Sequence, residues 1–351
     1  MWDESLFRKS VEGALVGFVD ERSAWLSALG PDALRLVASA RSSMAGGKRL
    51  RAAFCWWGYH AVAAPTDPEA LIRACGSLEL LHASALVHDD YMDASDVRRG
   101  KPATHREYAD LHADQAWTGS AQQYGAAAAI LLGDLLLAWS DEMLRTCGLP
   151  TETVGQALRF FDLTRSEVIT GQFLDVSAQA RGASDVDVAM NVLRYKSAKY
   201  SIERPLHIGA ALAGAGSETL DQLTRFGLPL GEAFQLRDDL LGVFGDPALT
   251  GKPAGDDLRE GKRTVLVALA LDALGPADAA YLDRSLGTDL GERDVLGMRD
   301  LIDGCGAHAQ VEEAIAALTD RALAALAAAD IDETARTHLR RLADAATQRV
   351  V

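Results

Sequence analysis

The stretch LIRACGSLELLHASALVHDDYMD, residues 71–93, decides the fold of this chain. It contains no proline and stays strongly apolar until it ends in three aspartates. At 100° per residue, one face of the predicted helix collects six side chains. They are Leu78, Leu81, His82, Ala85, Asp89 and Asp93. The stretch therefore predicts a buried helix that carries carboxylates at its C-terminal end.

The other segments have the same helical character. Ten prolines separate long stretches that are rich in Ala, Leu, Arg and Glu, with apolar residues spaced by three and four. No segment shows sustained period-two alternation of β-branched residues, which strands would require. None of the breaks is a long Gly/Ser-rich or Pro-rich linker. We therefore predict an all-α protein of about a dozen helices, forming a single domain over residues 1–351.

Charge and composition exclude several classes of partner. The chain has 35 Lys+Arg against 50 Asp+Glu, a net charge of −15, which argues against nucleic acid and against an anionic membrane surface. The four cysteines include no CxxC pair and are expected to be free thiols in a reducing compartment. The most apolar run, Ala126 to Trp139, is too short to span a bilayer and contains Asp134. With no signal-peptide pattern at the N-terminus, these features predict a cytoplasmic protein without a membrane span.

The first aspartate cluster requires a counter-charge. Asp89 and Asp93 lie one helical turn apart, where two carboxylates repel each other. A solvated acidic helix end is the simpler reading of such a pattern in isolation. Here the cluster ends an apolar helix and is followed within ten residues by a basic turn at 98–102. Acids and bases together at the end of an apolar helix predict a site for a divalent cation and an anion.

A second cluster, at Gln235, Asp238 and Asp239, lies 149 residues further on. A polar, glycine-rich loop with Lys252 and Lys262 follows it. Mg²⁺ prefers oxygen ligands and is usually held by a few carboxylates together with substrate phosphates. Two aspartate-rich helix ends that face each other, with lysines around them, predict a magnesium-diphosphate site.

Seven elements in this order resemble the trans-isoprenyl diphosphate synthases, the polyprenyl synthetase family, over about residues 46–264. The elements are GGKRLR at 46–51, LLH at 80–82, DDxxD at 89–93 with RRG at 98–100, GQxxD at 171–175, KS at 196–197, FQxxDD at 234–239 and GK at 251–252. The resemblance implies a bundle of long helices around a deep apolar cavity, usually a homodimer. It also implies a reaction that joins an allylic diphosphate to isopentenyl diphosphate, head to tail.

The resemblance further assigns catalytic and metal-binding roles. The catalytic positions it implies are Asp89, Asp90, Asp93, Lys196, Asp238 and Asp239. Asp89 and Asp93 would bind two Mg²⁺ ions and Asp238 a third, with Asp239 and Asp175 in support through water. Gly242 departs from the family pattern, because it stands where the second motif normally has its last aspartate.

Substrate-binding roles follow from the same resemblance. The allylic diphosphate would be bound by Arg98, Lys196, Gln235 and Lys252, with Gln172 also on the substrate side. Isopentenyl diphosphate would be bound by Lys48, Arg51, His82 and Arg99. Ser197, which replaces the usual threonine, would stabilise the carbocation, and Lys262 would close the lid.

The face below Asp89 bears on the length of the product. In the family, bulky aromatic residues just before the first aspartate stop growth at fifteen carbons, whereas Ser84 and Ala85 are small here. The floor of the cavity is then expected deeper, near Leu81 and Leu78, which favours geranylgeranyl diphosphate. Longer polyprenyl or farnesyl products remain alternatives, as do a class I terpene cyclase and a non-catalytic subunit of a heteromeric synthase.

Overall fold

The computed structural model describes residues 3–246 and 255–348, and these are almost entirely helical. The first helices are α1 (Glu4–Leu26), α2 (Pro31–Met44), α3 (Leu50–His60), α4 (Pro68–Met92), α5 (Thr104–Asp114), α6 (Ala121–Arg145) and α7 (Thr151–Arg181). The later helices are α8 (Val186–Leu193), α9 (Arg204–Leu212), α10 (Ser217–Phe244), α11 (Asp256–Glu260), α12 (Val265–Ala273), α13 (Pro276–Ser285), α14 (Glu292–Gly304), α15 (Ala307–Ala328) and α16 (Glu333–Thr347). The predicted all-α fold is confirmed.

The described ranges contain more helices than the predicted dozen. Several are shorter than eleven residues, α11 being only five residues long, and apolar periodicity does not resolve helices of that length. There is also a small hairpin after α4, in which β1 (Val97–Arg98) pairs antiparallel with β2 (Lys101–Pro102). Arg99 and Gly100 at its turn have φ of 53° and 74°, as tight hairpin turns require. The turn places two arginines directly beside the end of α4.

A π-helical segment, Arg194–Glu203, joins α8 to α9. It lies between α7 and α10, and glycines allow both helices to come close to its backbone. A side chain at Gly171 would overlap the backbone of Lys196, and one at Gly231 would overlap that of Ala198. Since π-helical turns inside α-helices are frequent at functional sites, the segment marks a candidate site at Lys196.

The hydrophobic core forms three connected clusters. The largest surrounds α4, which packs against α6 most extensively and also contacts α1, α2 and α3. The second joins α10 to α12, α14 and α15, and the third joins α3, α9, α10 and α16. Each fully buried leucine in these clusters contributes about 1.5–3 kcal/mol to the free energy of unfolding. This packing fixes the directions in which α4, α7 and α10 present their polar ends.

By length and composition alone, α4 is apolar enough to cross a membrane, with a mean hydropathy of 1.3 over its most apolar window. That window is 72% buried inside the protein. Its apolar character is therefore accounted for by its central position in the largest core cluster.

Candidate active site

The two carboxylates predicted to share one face of α4 are each paired with a lysine. Lys196 Nζ lies 3.2 Å from Asp89 Oδ1, and Lys262 Nζ donates a hydrogen bond to Asp93 Oδ2. Burial raises the pKa of Asp89, but the attraction of Lys196, Lys262 and Arg98 outweighs it, so that this pKa lies below its ordinary value. Burial and the neighbouring Asp89 carboxylate raise the pKa of Asp93 to about 6 despite the two lysines. The like-charge repulsion expected from the sequence is thus present and is offset by cations.

A third carboxylate, Asp175 on α7, joins this group. Its Oδ2 lies 2.6 Å from Lys196 Nζ and 3.5 Å from Lys262 Nζ. Burial raises the pKa of Asp175, but the same lysines outweigh it and lower this pKa overall. Three aspartates and two lysines from four separate parts of the chain therefore form one charged cluster.

The second aspartate pair lies on α10, and Asp239 in this pair feels the charge of Asp175 in the first cluster. Gln235 Nε2 donates to Asp239 Oδ1 at 2.9 Å, and Asp238 is half-buried. Burial raises the pKa of Asp239 well above its ordinary value, and the negative charges of Asp257, Asp238 and Asp175 add to the rise. Because Asp175 acts electrostatically on both groups of aspartates, the two predicted motifs lie within reach of one another.

The departure at Gly242 has a structural counterpart. The carboxylate of Asp257, in the first turn of α11, occupies the space that a side chain at position 242 would need, with Oδ1 only 2.7 Å from where its Cβ would lie. The Asp257 carbonyl also accepts a hydrogen bond from Lys262 N at 2.9 Å. A third carboxylate thus accompanies Asp238 and Asp239, supplied by the following helix rather than by α10.

A separate group of cations surrounds His82. His82 Nδ1 lies 2.6 Å from the Tyr200 hydroxyl, and the Arg51 guanidinium lies 4.2 Å from the centre of the Tyr200 ring. Burial, followed by the charges of four arginines beginning with Arg51, holds the pKa of His82 well below its ordinary value. Burial raises the pKa of Tyr200 to about 12. The imidazole and the phenol are therefore neutral hydrogen-bonding groups in a positively charged surrounding.

The basic turn after α4 completes this group. Arg99 donates to the Ala45 carbonyl at 2.5 Å, next to the exposed Lys48. Arg98 instead donates to Asp90 Oδ1, with Nε at 2.8 Å, and its guanidinium lies 3.9 Å from Asp89. Asp90, expected among the catalytic carboxylates, differs from Asp89 and Asp93 because it is turned about 100° around α4 and buried against Arg98.

Two buried polar atoms at the site have no hydrogen-bond partner among the described residues. They are Gln172 Nε2 and Arg51 Nε. Unpaired buried polar atoms are rare and call for an explanation such as an absent ligand or ion. In residues 3–246 and 255–348, no three His, Cys, Asp or Glu side chains form a ready metal cage. Carboxylates such as those of Asp89, Asp93 and Asp175 are the donor type that Mg²⁺ prefers, and Mg²⁺ is usually held by a few of them together with substrate phosphates.

The remaining predicted residues lie in different surroundings. Ser197 is half-buried in the π-helical segment, whereas Lys252 lies outside the described residues. Ser84 faces α6, where its hydroxyl donates to the Gly133 carbonyl at 2.7 Å, rather than the face of Asp89. Ala85 is half-buried on the Asp89 face. The leucines below it on α4, at 78 and 81, are 0% and 2% exposed.

Four residues near these groups were not predicted from the sequence. Tyr200 lies one helical turn after Lys196, and Asp257 lies between Lys252 and Lys262 in the sequence. This closeness to predicted site residues is the sequence feature that could have identified both. Arg49 and Glu79 form a buried ion pair beside Arg51 and His82, with 3.2 Å between Arg49 Nη1 and Glu79 Oε2. A glutamate within an apolar helix was the available signal for that pair.

A groove of about 900 Å³ lies away from the aspartates. It runs between α1 and the first turns of α4, where Phe7, Trp56, Ile72 and Arg73 line it. From Arg73 to Asp89 is ~24 Å along α4, at ~1.5 Å per residue. The groove is therefore distinct from the charged cluster.

Helices that bring aspartate-rich ends together beside lysines and arginines define a prenyl diphosphate synthase type of site. Residues 35–298 match the family described as Polyprenyl synthetase. The chain belongs to this family, and it is a prenyltransferase of the trans-prenyl diphosphate synthase type. The resemblance found in the sequence is thereby confirmed.

Relatives with different products are similar to this chain. A geranylfarnesyl diphosphate synthase from Aeropyrum pernix is 35% identical over 266 residues, covering 75% of this chain and 77% of the relative. A (2E,6E)-farnesyl diphosphate synthase from Mycobacterium tuberculosis is 35% identical, covering 74% of this chain and 67% of that protein. The crystal structure of a geranylgeranyl pyrophosphate synthase from Corynebacterium glutamicum, complexed with isoprenyl diphosphate and magnesium, superposes with a TM-score of 0.96. It is 39% identical, and the match covers 99% of this chain and 100% of that chain.

Proposed function

We propose that this enzyme condenses isopentenyl diphosphate with an allylic diphosphate, head to tail, and that its main product is geranylgeranyl diphosphate. The observation that carries this proposal is the presence of two separate anion-binding groups. One contains the aspartates with Lys196 and Lys262, and the other contains the cations around His82. An enzyme that joins two diphosphate substrates needs both.

The aspartate cluster is proposed to bind the allylic diphosphate together with three Mg²⁺ ions. Asp89 and Asp93 would hold two ions and Asp238 a third, with Asp175 and Asp239 in support through water. Bound Mg²⁺ supplies Lewis-acid neutralisation of the diphosphate leaving group. In this structure the Lys262 ammonium group lies between the carboxylates of Asp93 and Asp175. Positive charge is therefore favoured at this position, which supports the proposal that Mg²⁺ binds there.

The lysines and the polar residues around the cluster would orient the allylic diphosphate. Lys196, Arg98 and Gln235 lie beside these carboxylates, and the unpaired Gln172 Nε2 is an available donor. Lys252 is proposed for the same diphosphate, and Lys262 would move from the carboxylates to close the lid. The Ser197 hydroxyl is proposed to stabilise the developing carbocation.

The cations around His82 are proposed to bind isopentenyl diphosphate. Lys48, Arg51 and Arg99 would neutralise its two phosphates, and Arg51 Nε has no hydrogen-bond partner in the part of the chain that the structure describes. His82, held neutral by its surroundings, would donate or accept one hydrogen bond without adding charge. Binding both substrates in fixed positions favours attack by the isopentenyl double bond before water can react.

The chain-length proposal depends on the α4 face below Asp89. Ala85 lies ~6 Å below Asp89 along the helix, Leu81 ~12 Å and Leu78 ~16 Å. The small side chain of Ala85 leaves space for the growing prenyl chain, whereas the buried side chains of Leu78 and Leu81 would form the floor of the cavity. The two relatives named above as farnesyl and geranylfarnesyl diphosphate synthases bracket the proposed twenty-carbon product.

The active unit is proposed to be a cytoplasmic homodimer. Exposed apolar side chains line two neighbouring long helices, Ile130 and Leu131 on α6, and Ile169, Phe173 and Val176 on α7. Their exposed fractions run from 37% to 68%, and exposed apolar side chains grouped on neighbouring helices are typical of an interaction surface. Three of the four cysteines are buried free thiols, which supports a reducing compartment.

Incubation of the purified protein with Mg²⁺, isopentenyl diphosphate and each allylic primer tests the function. Sizing of the dephosphorylated products is expected to give mainly a twenty-carbon alcohol. A cyclic hydrocarbon from geranylgeranyl diphosphate alone would instead identify a terpene cyclase. If no product forms with any primer, and product appears once a partner protein is added, the chain is a non-catalytic subunit. Alcohols of other chain lengths would support the proposed reaction but show that the main product is not geranylgeranyl diphosphate.

A further inference from the structure

A buried ion pair joins α4 to the segment before α3. Arg49 and Glu79 are only 7% and 5% exposed, and Arg49 Nη2 also donates to the Met44 carbonyl at 2.6 Å. Arg49 has a φ of 54°, an uncommon conformation for a non-glycine residue. A buried ion pair contributes little net stability, because removing both charges from water costs about as much as their attraction returns. Its presence here calls for another role.

Glu79 also fixes the start of α3. Its Oε1 accepts a hydrogen bond from Ala52 N at 3.2 Å, within the first turn of that helix. The residue at the N-cap position of α3, Arg49, makes no capping hydrogen bond with its side chain. One carboxylate therefore replaces the missing cap with one oxygen and binds Arg49 with the other. The four residues between these two contacts, 49–52, are held from both ends.

This segment carries two of the cations proposed to bind isopentenyl diphosphate. Lys48 directly precedes Arg49, and Arg51 lies between Arg49 and Ala52. The positive charges repel one another before any anion arrives. Burial, and after it the charges of Arg49 and Arg98, lower the pKa of Arg99, and Glu79 is the first opposing charge. The Glu79 carboxylate thus offsets the mutual repulsion of these arginines while no diphosphate is bound.

We propose that Glu79 is a positioning residue that keeps the 46–51 segment in the shape required to bind the diphosphate of isopentenyl diphosphate. It touches neither substrate and acts through Arg49 and the start of α3. The inference rests on the proposed function, because it assumes that Lys48 and Arg51 bind this second diphosphate. It goes beyond that function in naming a buried acid that prepares a site for an anion.

Steady-state kinetics of Glu79→Gln, with each substrate varied in turn, test the proposal. The KM for isopentenyl diphosphate is expected to rise at least about tenfold, as when a displaced Lys48 or Arg51 loses one charge-assisted hydrogen bond to the diphosphate. The KM for the allylic diphosphate should stay within about twofold. Calorimetric titration of isopentenyl diphosphate in metal-free buffer should show the same loss of affinity, independently of turnover. An unchanged KM, or equal changes in both KM values, would overturn the proposal.

A double variant guards against simple unfolding. Glu79→Leu with Arg49→Met removes both charges, an exchange that is often neutral or stabilising for a buried pair. This double variant is expected to fold but to bind isopentenyl diphosphate more weakly than the wild type does. An affinity equal to that of the wild type would overturn the proposal. A matched control is Glu167→Gln, which disturbs the ion pairs with Arg204 and Lys199, each at 2.7 Å. That variant should lower Tm without changing the ratio of the two KM values.

The wild-type titration separates the two levels of inference. If the unaltered protein fails to bind isopentenyl diphosphate, the proposed function fails and this inference falls with it. If the wild type binds it and turns it over while Glu79→Gln does so equally well, only the positioning role is lost.

Discussion

The carboxylate of Asp257 lies in the space left by the missing side chain of Gly242. The two residues belong to different helices, α10 and α11, so the second aspartate motif gains its third carboxylate from outside α10. A substitution that returns a side chain to position 242 must displace that carboxylate. Such a substitution should therefore change the response of the enzyme to Mg²⁺ while changing its stability little.

Gly242→Ala is expected to weaken the activation by Mg²⁺ about tenfold, the usual cost of disturbing a group that supports metal ligands. The same change adds a better helix former to α10, so that the free energy of unfolding should rise or stay within about 1 kcal/mol. Initial rates over a range of Mg²⁺ concentrations, together with urea denaturation, measure both effects.

Gly297→Ala is the matched control for that change, because no described residue outside α14 comes within 4 Å of where a Cβ at Gly297 would lie. It should stabilise the protein and leave the Mg²⁺ dependence as in wild type. Equal Mg²⁺ curves for both alanine variants and the wild type would contradict a role for the Asp257 carboxylate.

Lys262→Met should destabilise the metal-free protein. The ammonium group of Lys262 is the counter-charge for Asp93 and Asp175, and removing one partner of a buried ion pair costs about 3 kcal/mol or more. Adding Mg²⁺ with inorganic diphosphate should restore part of the loss, because cations return to the carboxylates. Thermal melting with and without these additions measures it, with exposed Lys101→Met as control. A Tm equal to wild type in metal-free buffer would show that Lys262 does not carry this charge.

Ala85→Phe should shorten the product. The phenyl ring would block the α4 face ~6 Å below Asp89, above the present floor. We expect the twenty-carbon alcohol to give way to shorter ones, with Ala85→Leu intermediate between the variant and wild type. Chromatography of dephosphorylated radiolabelled products measures the distribution. An unchanged distribution in the phenylalanine variant would place the floor elsewhere.

Phe173→Asp should dissociate the proposed dimer. Phe173 is 68% exposed on α7, so a charge there costs the monomer little, whereas burial of that charge in an interface costs several kcal/mol. Sedimentation should show a mass near the 37.4 kDa of one chain, against twice that mass for wild type. Leu296→Asp, at 55% exposure on α14, is the control that should leave the mass unchanged. A wild-type mass near that of one chain would refute the dimer itself.

Thiol labelling should distinguish Cys305 from the other cysteines. Cys55, Cys75 and Cys147 are buried, and burial raises the pKa of the Cys75 and Cys147 thiols, which keeps them protonated and unreactive. A chromogenic disulfide reagent should therefore react with about one thiol in the native protein and with all four in denaturant. Rapid reaction of a second native thiol would contradict the described burial.

Local sequence was sufficient for much of the fold and for the first aspartate pair. The spacing of Asp89 and Asp93 on a proline-free apolar helix determined both their common face and their need for cations, because helical geometry is periodic and local. The same reasoning placed Gln235 beside Asp239, which the 2.9 Å hydrogen bond bears out. It did not foresee the partner of Asp90, whose position one residue further round the helix turns it to Arg98. It could not foresee α11, since five residues are too few to show a periodic pattern.

What the sequence by itself determined is the helical class, the aspartate motifs and the family whose pattern they follow. Only the tertiary structure decided which charges meet. Lys196 and Asp175 are 21 residues apart, and Lys262 and Asp93 are 169 apart, yet each pair is in contact. Glu79 reaches the start of α3, and Asp257 replaces a side chain that α10 lacks. Such pairings depend on how helices pack, and packing is set by the buried apolar faces of the whole chain rather than by the residues that the packing brings together.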